Sequence, residues 1–158
     1  FNSNASLPKA IDKLAAAGVE SIRVSLNSAQ EHLYNAYYRP CGYRFDDVIE
    51  SMQRAKAAGL YLMLNYLVFP GVTDREEEIE AMGELIDLDC VDMIQIRNLI
   101  LDPVLYLDSL QLSGKGVRMV EMLKTHKARF PSLQYGYFNR TRETFFPPGY
   151  QTEWPILS

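Results

Sequence analysis

The hydrophobic and polar positions of this chain follow the period of a strand in some stretches and the period of a helix in others. Apolar and polar residues alternate strictly from Glu20 to Ser28, which predicts a half-buried strand. Leu60 to Phe69 is almost entirely apolar, as is typical of a strand buried on both faces of a parallel sheet. Two further strands are predicted over 91–99 and 133–139.

Apolar residues at helical spacing separate these strands. The predicted helices span about 7–17, 29–38, 45–58, 73–88 and 117–130. Ser6 is predicted to cap the first helix, and Thr73 with Glu76 to form a capping box that opens the fourth. The alternation predicts an α/β domain over 1–139 with parallel strands and right-handed crossovers. The proline-rich stretch 140–158 has no periodicity and is predicted to be an irregular tail.

Two architectures fit this order of elements, an open doubly wound sheet and a closed or partial barrel. The chain contains neither a G-x-G-x-x-G motif nor a Walker lysine loop. Three of the predicted strands carry polar residues towards their C-terminal halves, namely Arg23, Ser25, Asn27, Asn65, Gln95 and Arg97. A sheet covered by helices on both faces would bury an arginine at substantial cost. The pattern therefore favours a barrel with a polar interior.

Composition excludes several classes of protein and favours a cytoplasmic one. The 158 residues carry a net charge of −4, which argues against a surface that is basic overall and binds nucleic acid. No apolar run is long enough to predict a membrane-spanning helix. Cys41 and Cys90 form no cluster with metal-ligand spacing, so we expect two reduced thiols and no metal bound by this chain's cysteines. The first residues resemble no signal peptide and lack an initiator Met, which we interpret as a piece of a longer or processed protein.

Two motifs resemble the radical S-adenosylmethionine (SAM) superfamily, in its molybdenum-cofactor cyclase-like branch. They are "VSLNS" at Val24 to Ser28 and "LNYLVFPGVTD" at Leu64 to Asp74, and the likeness extends over roughly 7–99. It implies a partial (βα)6 barrel of TIM type, of which this chain would supply strands four, five and six. Strands one to three would then be absent.

The resemblance also implies a SAM cofactor and a [4Fe–4S] cluster held by a C-x-x-x-C-x-x-C motif after strand one. In such enzymes the cluster reduces SAM to a 5′-deoxyadenosyl radical, which abstracts hydrogen from the substrate. This chain contains no such motif, so the fragment is expected to be inactive alone. Its expected partners are the missing N-terminal half of the barrel or further copies of itself. The C-terminal cysteines of the cyclase branch are also absent, which puts the cyclase reaction in doubt.

By the same resemblance, six residues fall at cofactor-binding positions, namely Arg23, Ser25, Asn27, Asn65, Val68 and Gly71. Ser25 and Asn27 would meet the ribose and methionine parts of SAM. Arg23 could pair with the methionine carboxylate, or equally form a structural ion pair. The segment containing Val68 and Gly71 would border the adenine, where a glycine lets the main chain approach closely.

Three residues on or beside the sixth strand are candidates for substrate binding, namely Gln95, Arg97 and Asn98. Arg97 could bind an anionic group of a substrate that the sequence does not identify. Two alternatives stay open from the residues alone. One is an unrelated βα-barrel lyase or aldolase that holds an anionic substrate with Arg23 or Arg97, and the other is a non-catalytic interaction domain.

Overall fold

The computed structural model describes residues 1–112 and 115–136, in which strands and helices alternate along the chain. The described strands are β1 (Asn2–Ser3), β2 (Ser21–Leu26), β3 (Tyr61–Val68), β4 (Met93–Asn98) and β5 (Gln134–Gly136). The described helices are α1 (Pro8–Ala16), α2 (Glu31–Tyr38), α3 (Phe45–Ala57), α4 (Glu76–Asp87), α5 (Pro103–Leu110) and α6 (Met119–Arg129). The predicted irregular tail at 140–158 lies outside the described residues.

The five strands form one parallel sheet whose spatial order, β1-β2-β3-β4-β5, is their order along the chain. A doubly wound sheet would reverse its strand order and carry helices on both faces. Here α1, α3 and α4 pack their apolar residues into one core on a single face of the sheet. A sequential parallel sheet with helices on one side is a segment of a βα barrel. The predicted partial TIM-type barrel is confirmed.

Strand register divides the sheet into two faces. Val24 pairs with Leu64 and Leu64 with Ile94, and all three side chains belong to the core beneath the helices. We call this side the helix face. The residues one step away along each strand point to the opposite side, which we call the inner face because it corresponds to the interior of a barrel.

Two elements of secondary structure, β1 and α5, were not predicted from the sequence. β1 has only two residues, too few for a periodicity signal, and it is held to β2 by parallel pairing that includes Arg23 N–H donating to the Phe1 carbonyl at 2.7 Å. Because this strand precedes the one predicted to be fourth, the expectation that strands one to three are all absent is wrong. No helix was predicted where α5 lies, yet Pro103 occupies its first turn and Asp102 caps it by accepting from Leu105 N–H at 2.9 Å.

Two predicted helix caps are also wrong. Ser6 does not cap α1, which begins one residue later than expected at Pro8, a residue with no N–H to satisfy. Thr73 lies ahead of the helix, and its hydroxyl bonds both the N–H and the carbonyl of Phe69. α4 starts only at Glu76. Thr73 therefore closes the turn after β3. No helix in the described ranges is long and apolar enough to cross a membrane.

The contact of α6 with α4 includes the buried ring of His126, whose Nε2 lies 3.4 Å from the carbonyl oxygen of Ile79. Burial lowers the pKa of His126 below its ordinary value of 6.5, the Ile79 carbonyl opposes this effect, and the charge of Arg129 adds to it. The unfolded chain then binds a proton more readily than the folded one.

We therefore expect the free energy of unfolding to fall as pH drops below about 6.5, with a slope of at most about 1.4 kcal/mol per pH unit from this group. Urea titrations of wild type and His126→Gln at several pH values test this. The variant is expected to lose that part of the pH dependence, whereas His32→Gln, on the exposed side of α2, keeps it. An identical pH dependence in wild type and His126→Gln would contradict the assignment.

Candidate functional site on the inner face

Three polar side chains lie in one row across the inner face. Strand register places Ser25 beside Asn65 and Asn65 beside Gln95. The Asn65 amide donates from Nδ2 to Ser25 Oγ at 3.2 Å. The structure thus brings together side chains that the alternation assigned to one side of three separate strands. Their hydroxyl and amide groups can both donate and accept hydrogen bonds.

An apolar layer lies below this row, towards the N-terminal ends of the strands. Tyr61, Met63 and Met93 form a separate buried cluster on the inner face, and Tyr61 donates its hydroxyl to Gln134 Oε1 at 2.9 Å. Above the row, the exposed Arg97 projects near the C-terminal end of β4. The polar row therefore lies between this buried apolar layer and the exposed C-terminal ends of the strands, which we call the open rim. βα proteins assemble their sites at this end of the sheet.

The inner face carries positive charge. Arg23 lies two residues before Ser25 on the same face of β2, next to Met63 in register. Burial lowers the pKa of Arg23, and the neighbouring charge of Arg97 lowers it further. The inner-face positions of the described strands include no aspartate or glutamate. Two guanidinium groups on one polar surface favour an anionic ligand.

Asn27 follows β2 and is fully buried. Its Nδ2 donates to the Leu33 carbonyl at 3.2 Å and to the Tyr106 hydroxyl at 3.4 Å, which joins the end of β2 to α2 and α5. Its Oδ1 has no hydrogen-bond partner within the described ranges. The side chain that the sequence placed beside Ser25 is thus covered by two helices.

Val68 and Asn98 also lie apart from the polar row. The two residues pair in register, and Val68 packs into the core on the helix face. Its carbonyl accepts from Leu99 N–H at 3.0 Å. By the same register Asn98 points to the same side of the sheet as Val68, but it is exposed at the end of its strand. Neither side chain shares the inner face with Ser25.

The turn after β3 is fixed by a buried aspartate. Gly71 adopts a positive φ of 83° and donates its N–H to Asp74 Oδ1 at 2.6 Å. The other oxygen, Oδ2, accepts from Arg118 N–H at 3.0 Å, and the Asp74 carbonyl accepts from Val117 N–H at 2.8 Å. Gly116 leaves the space that the carboxylate fills, because a Cβ there would overlap the Asp74 side chain. The turn is therefore held rigidly against the segment that precedes α6.

A second buried carboxylate, Glu78 of α4, was missed in the sequence. It is fully buried and accepts four hydrogen bonds, from Ser28 Oγ at 2.5 Å, Ala29 N–H at 2.8 Å, Gln30 Nε2 at 2.9 Å and the Tyr66 hydroxyl at 2.9 Å. Burial raises the pKa of Glu78, and these donors oppose the rise. The carboxylate fastens the loop after β2 to both α4 and β3.

The helical spacing of Glu78 could have indicated from the sequence that its side chain is buried. In the sequence Glu78 follows Glu76 and Glu77 and looks like part of a solvated acidic helix start. However, it lies four and eight residues before Met82 and Ile86, on the buried side of the helix. A charged residue on an apolar face is the informative exception.

Part of the chain matches a known protein family. Residues 1–83 match the model of the radical SAM superfamily. The chain belongs to the radical SAM superfamily. The match runs from β1 into α4 and so includes Ser25, Asn65 and Glu78, while Gln95 and Arg97 lie beyond it. No curated protein matches the chain.

Radical SAM proteins generally bind SAM and a [4Fe–4S] cluster. In the described part of this chain, no group of three or more His, Cys, Asp or Glu residues could hold a metal ion. Cys41 is exposed, whereas Cys90 is buried and burial raises the pKa of its thiol to about 11. These residues do not fit the cluster. The inner face does fit SAM chemically, because its hydroxyl, amide and guanidinium groups match the ribose hydroxyls and the carboxylate of the cofactor.

Proposed function

We propose that this chain is the C-terminal portion of a radical SAM enzyme and contributes part of its SAM and substrate site. The observation that carries the proposal is the hydrogen-bonded pair of Ser25 and Asn65 on the inner face of a radical SAM sheet. These two side chains would bond the ribose and methionine parts of the cofactor, and Arg23 would pair with the carboxylate. Held by these residues, SAM would supply radical chemistry that removes hydrogen from a substrate.

The remaining cofactor-binding candidates would border the cofactor with their backbone or support the strand that carries this pair. Gly71 has no Cβ, so the turn after β3 can approach an adenine closely. Val68 would contribute its backbone, since its side chain is committed to the core. Asn27 would hold the end of β2 in place through α2 and α5.

The substrate would lie against β4, towards the open rim. Arg97 is exposed there and would bind an anionic group, with Gln95 below it in the polar row and Asn98 beside it. The exposed guanidinium of Arg97 supports an anionic substrate, such as one with a carboxylate or a phosphate.

The cluster would be supplied by another segment, because the two cysteines of this chain cannot provide three thiolates. We therefore propose that the chain is inactive alone and joins a cluster-bearing N-terminal half of the barrel in the cytoplasm. The "VSLNS" and "LNYLVFPGVTD" motifs support kinship with the molybdenum-cofactor cyclase-like branch, though not the cyclase reaction itself.

The test is to produce the full reading frame anaerobically, reconstitute its cluster, and measure release of 5′-deoxyadenosine from SAM after reduction. We expect release with the full protein and none with the present chain alone. Ser25→Ala and Asn65→Ala are each expected to slow release at subsaturating SAM by roughly tenfold, the effect of losing a hydrogen bond to the ligand. Ser132→Ala, an exposed serine just before β5, serves as the matched control.

Failure of the full reading frame to encode C-x-x-x-C-x-x-C, or to release 5′-deoxyadenosine, would overturn the catalytic proposal. The non-catalytic interaction domain would then be the better interpretation. The unrelated lyase or aldolase is already set aside by membership of the radical SAM superfamily.

A further inference from the structure

We propose that Glu78 is a positioning residue for SAM binding, acting through the end of β2 and through β3 without touching the cofactor. This inference rests on the proposed function, because it assumes that Ser25 and Asn65 contact SAM. Glu78 itself contacts Tyr66, a residue of the helix face, and lies with it on the far side of the sheet from the polar row. A direct role in chemistry is therefore not assigned to it.

The contacts of Glu78 fix the loop that follows the site. Three consecutive residues, Ser28, Ala29 and Gln30, each donate to its carboxylate. Ser28 Oγ also accepts from Gln30 N–H at 3.0 Å, which closes the loop on itself immediately before α2. Ser28 is only three residues from Ser25, so the carboxylate sets where β2 ends.

The fourth donor, the Tyr66 hydroxyl, connects the same carboxylate to the neighbouring strand β3. Tyr66 precedes the end of β3 and lies beside Leu26 in register, next in sequence to Asn65. One carboxylate thus joins the residues that follow Ser25 to the residue that follows Asn65. The relative position of the two proposed SAM contacts depends on this junction.

Fold stability alone does not account for such an arrangement. Burying a carboxylate costs free energy that its hydrogen bonds must offset, and replacing a buried ionic network by apolar residues is often neutral or stabilising. The network does give the loop a single geometry, because three donors of the loop and one of β3 converge on the same carboxylate. Geometry of that kind matters for ligand binding, because a hydrogen bond to a ligand weakens steeply when its donor or acceptor is displaced.

The experiment measures the SAM dissociation constant of the full, cluster-reconstituted protein and of its Glu78→Gln variant. Glutamine keeps one acceptor oxygen but places an NH2 group against donors, so the loop loses part of its anchorage. We expect SAM binding to weaken by about tenfold, the equivalent of losing one hydrogen bond to the ligand. The rate of 5′-deoxyadenosine release at saturating SAM is expected to change by less than the affinity does. Glu76→Gln, the same change at an exposed position of α4, is the matched control and is expected to bind SAM like wild type.

The outcomes separate the two proposals. If wild type does not bind SAM, the proposed function fails; if wild type binds and the folded Glu78→Gln variant binds equally well, the positioning role is wrong. A lower melting temperature with unchanged SAM affinity would likewise assign Glu78 to stability only. Should Glu78→Gln not fold, Tyr66→Phe removes a single donor and is expected to weaken SAM binding by a smaller factor, and unchanged affinity there would also overturn the inference.

Discussion

Replacement of Asp74 by alanine is expected to lower the free energy of unfolding by about 2–4 kcal/mol. The carboxylate accepts from Gly71 N–H and Arg118 N–H, and both contacts lie in a part-buried region. Without it, two backbone donors lose their acceptor, at about 1–3 kcal/mol for each donor that stays unsatisfied. The expected loss is below the sum of the upper limits because water can reach part of this turn. Equilibrium urea denaturation of the chain, followed by circular dichroism, measures it.

Asp87→Ala provides the matched control. Asp87 is half exposed at the end of α4 and accepts from Arg129 at 2.6 Å, a surface ion pair. Such pairs contribute about 0–1 kcal/mol, so this variant is expected to unfold close to wild type. Equal losses from the two substitutions would mean that the turn after β3 does not depend on its buried aspartate.

The inner face could be predicted from the sequence because it follows from a period of two. Once Ser25 and Asn65 were assigned to strands of a parallel sheet, alternation decided which neighbours shared their side. The observed register then placed them next to each other and next to Gln95. This part of the site depends on local pattern and needs no knowledge of distant contacts.

The rest could not be predicted, because it depends on partners that are remote in the chain. Asp74 binds Arg118 across 44 residues, and Glu78 binds Ser28 across 50. In the sequence both look like ordinary acidic residues near a helix start. Thr73 illustrates the converse, since its spacing to Glu76 satisfied a capping pattern while its hydroxyl was used by the preceding turn.

The two buried carboxylates act at the ends of β2 and β3, two of the three strands that carry the polar row. Asp74 fixes the turn after β3 against the segment before α6, and Glu78 fixes the loop after β2 against α4. The helix face thus provides rigid support for a polar inner face, which is how a scaffold holds a binding site in one geometry. Loss of either carboxylate should therefore affect the site without altering any residue on it.

Gly116→Ala is expected to destabilise the chain through Asp74, by about 1–3 kcal/mol for an overpacked buried contact. A Cβ at position 116 would overlap the Asp74 carboxylate, which its hydrogen bonds prevent from moving aside. The double variant Asp74→Ala/Gly116→Ala removes the obstructing group, so its unfolding free energy should match that of Asp74→Ala alone.

A double-mutant cycle of these variants by urea denaturation should give a coupling free energy of about 1–3 kcal/mol. Gly83→Ala is the control, since its Cβ would meet only the end of the exposed, flexible Arg129 side chain and alanine favours the helix. We expect that variant to be close to neutral. If the losses in unfolding free energy of the two single variants add in the double variant, the two substitutions act independently. That result would contradict the overlap of a Cβ at position 116 with Asp74. The turn that borders the proposed adenine position would then have some other support than the packing of Gly116 against Asp74.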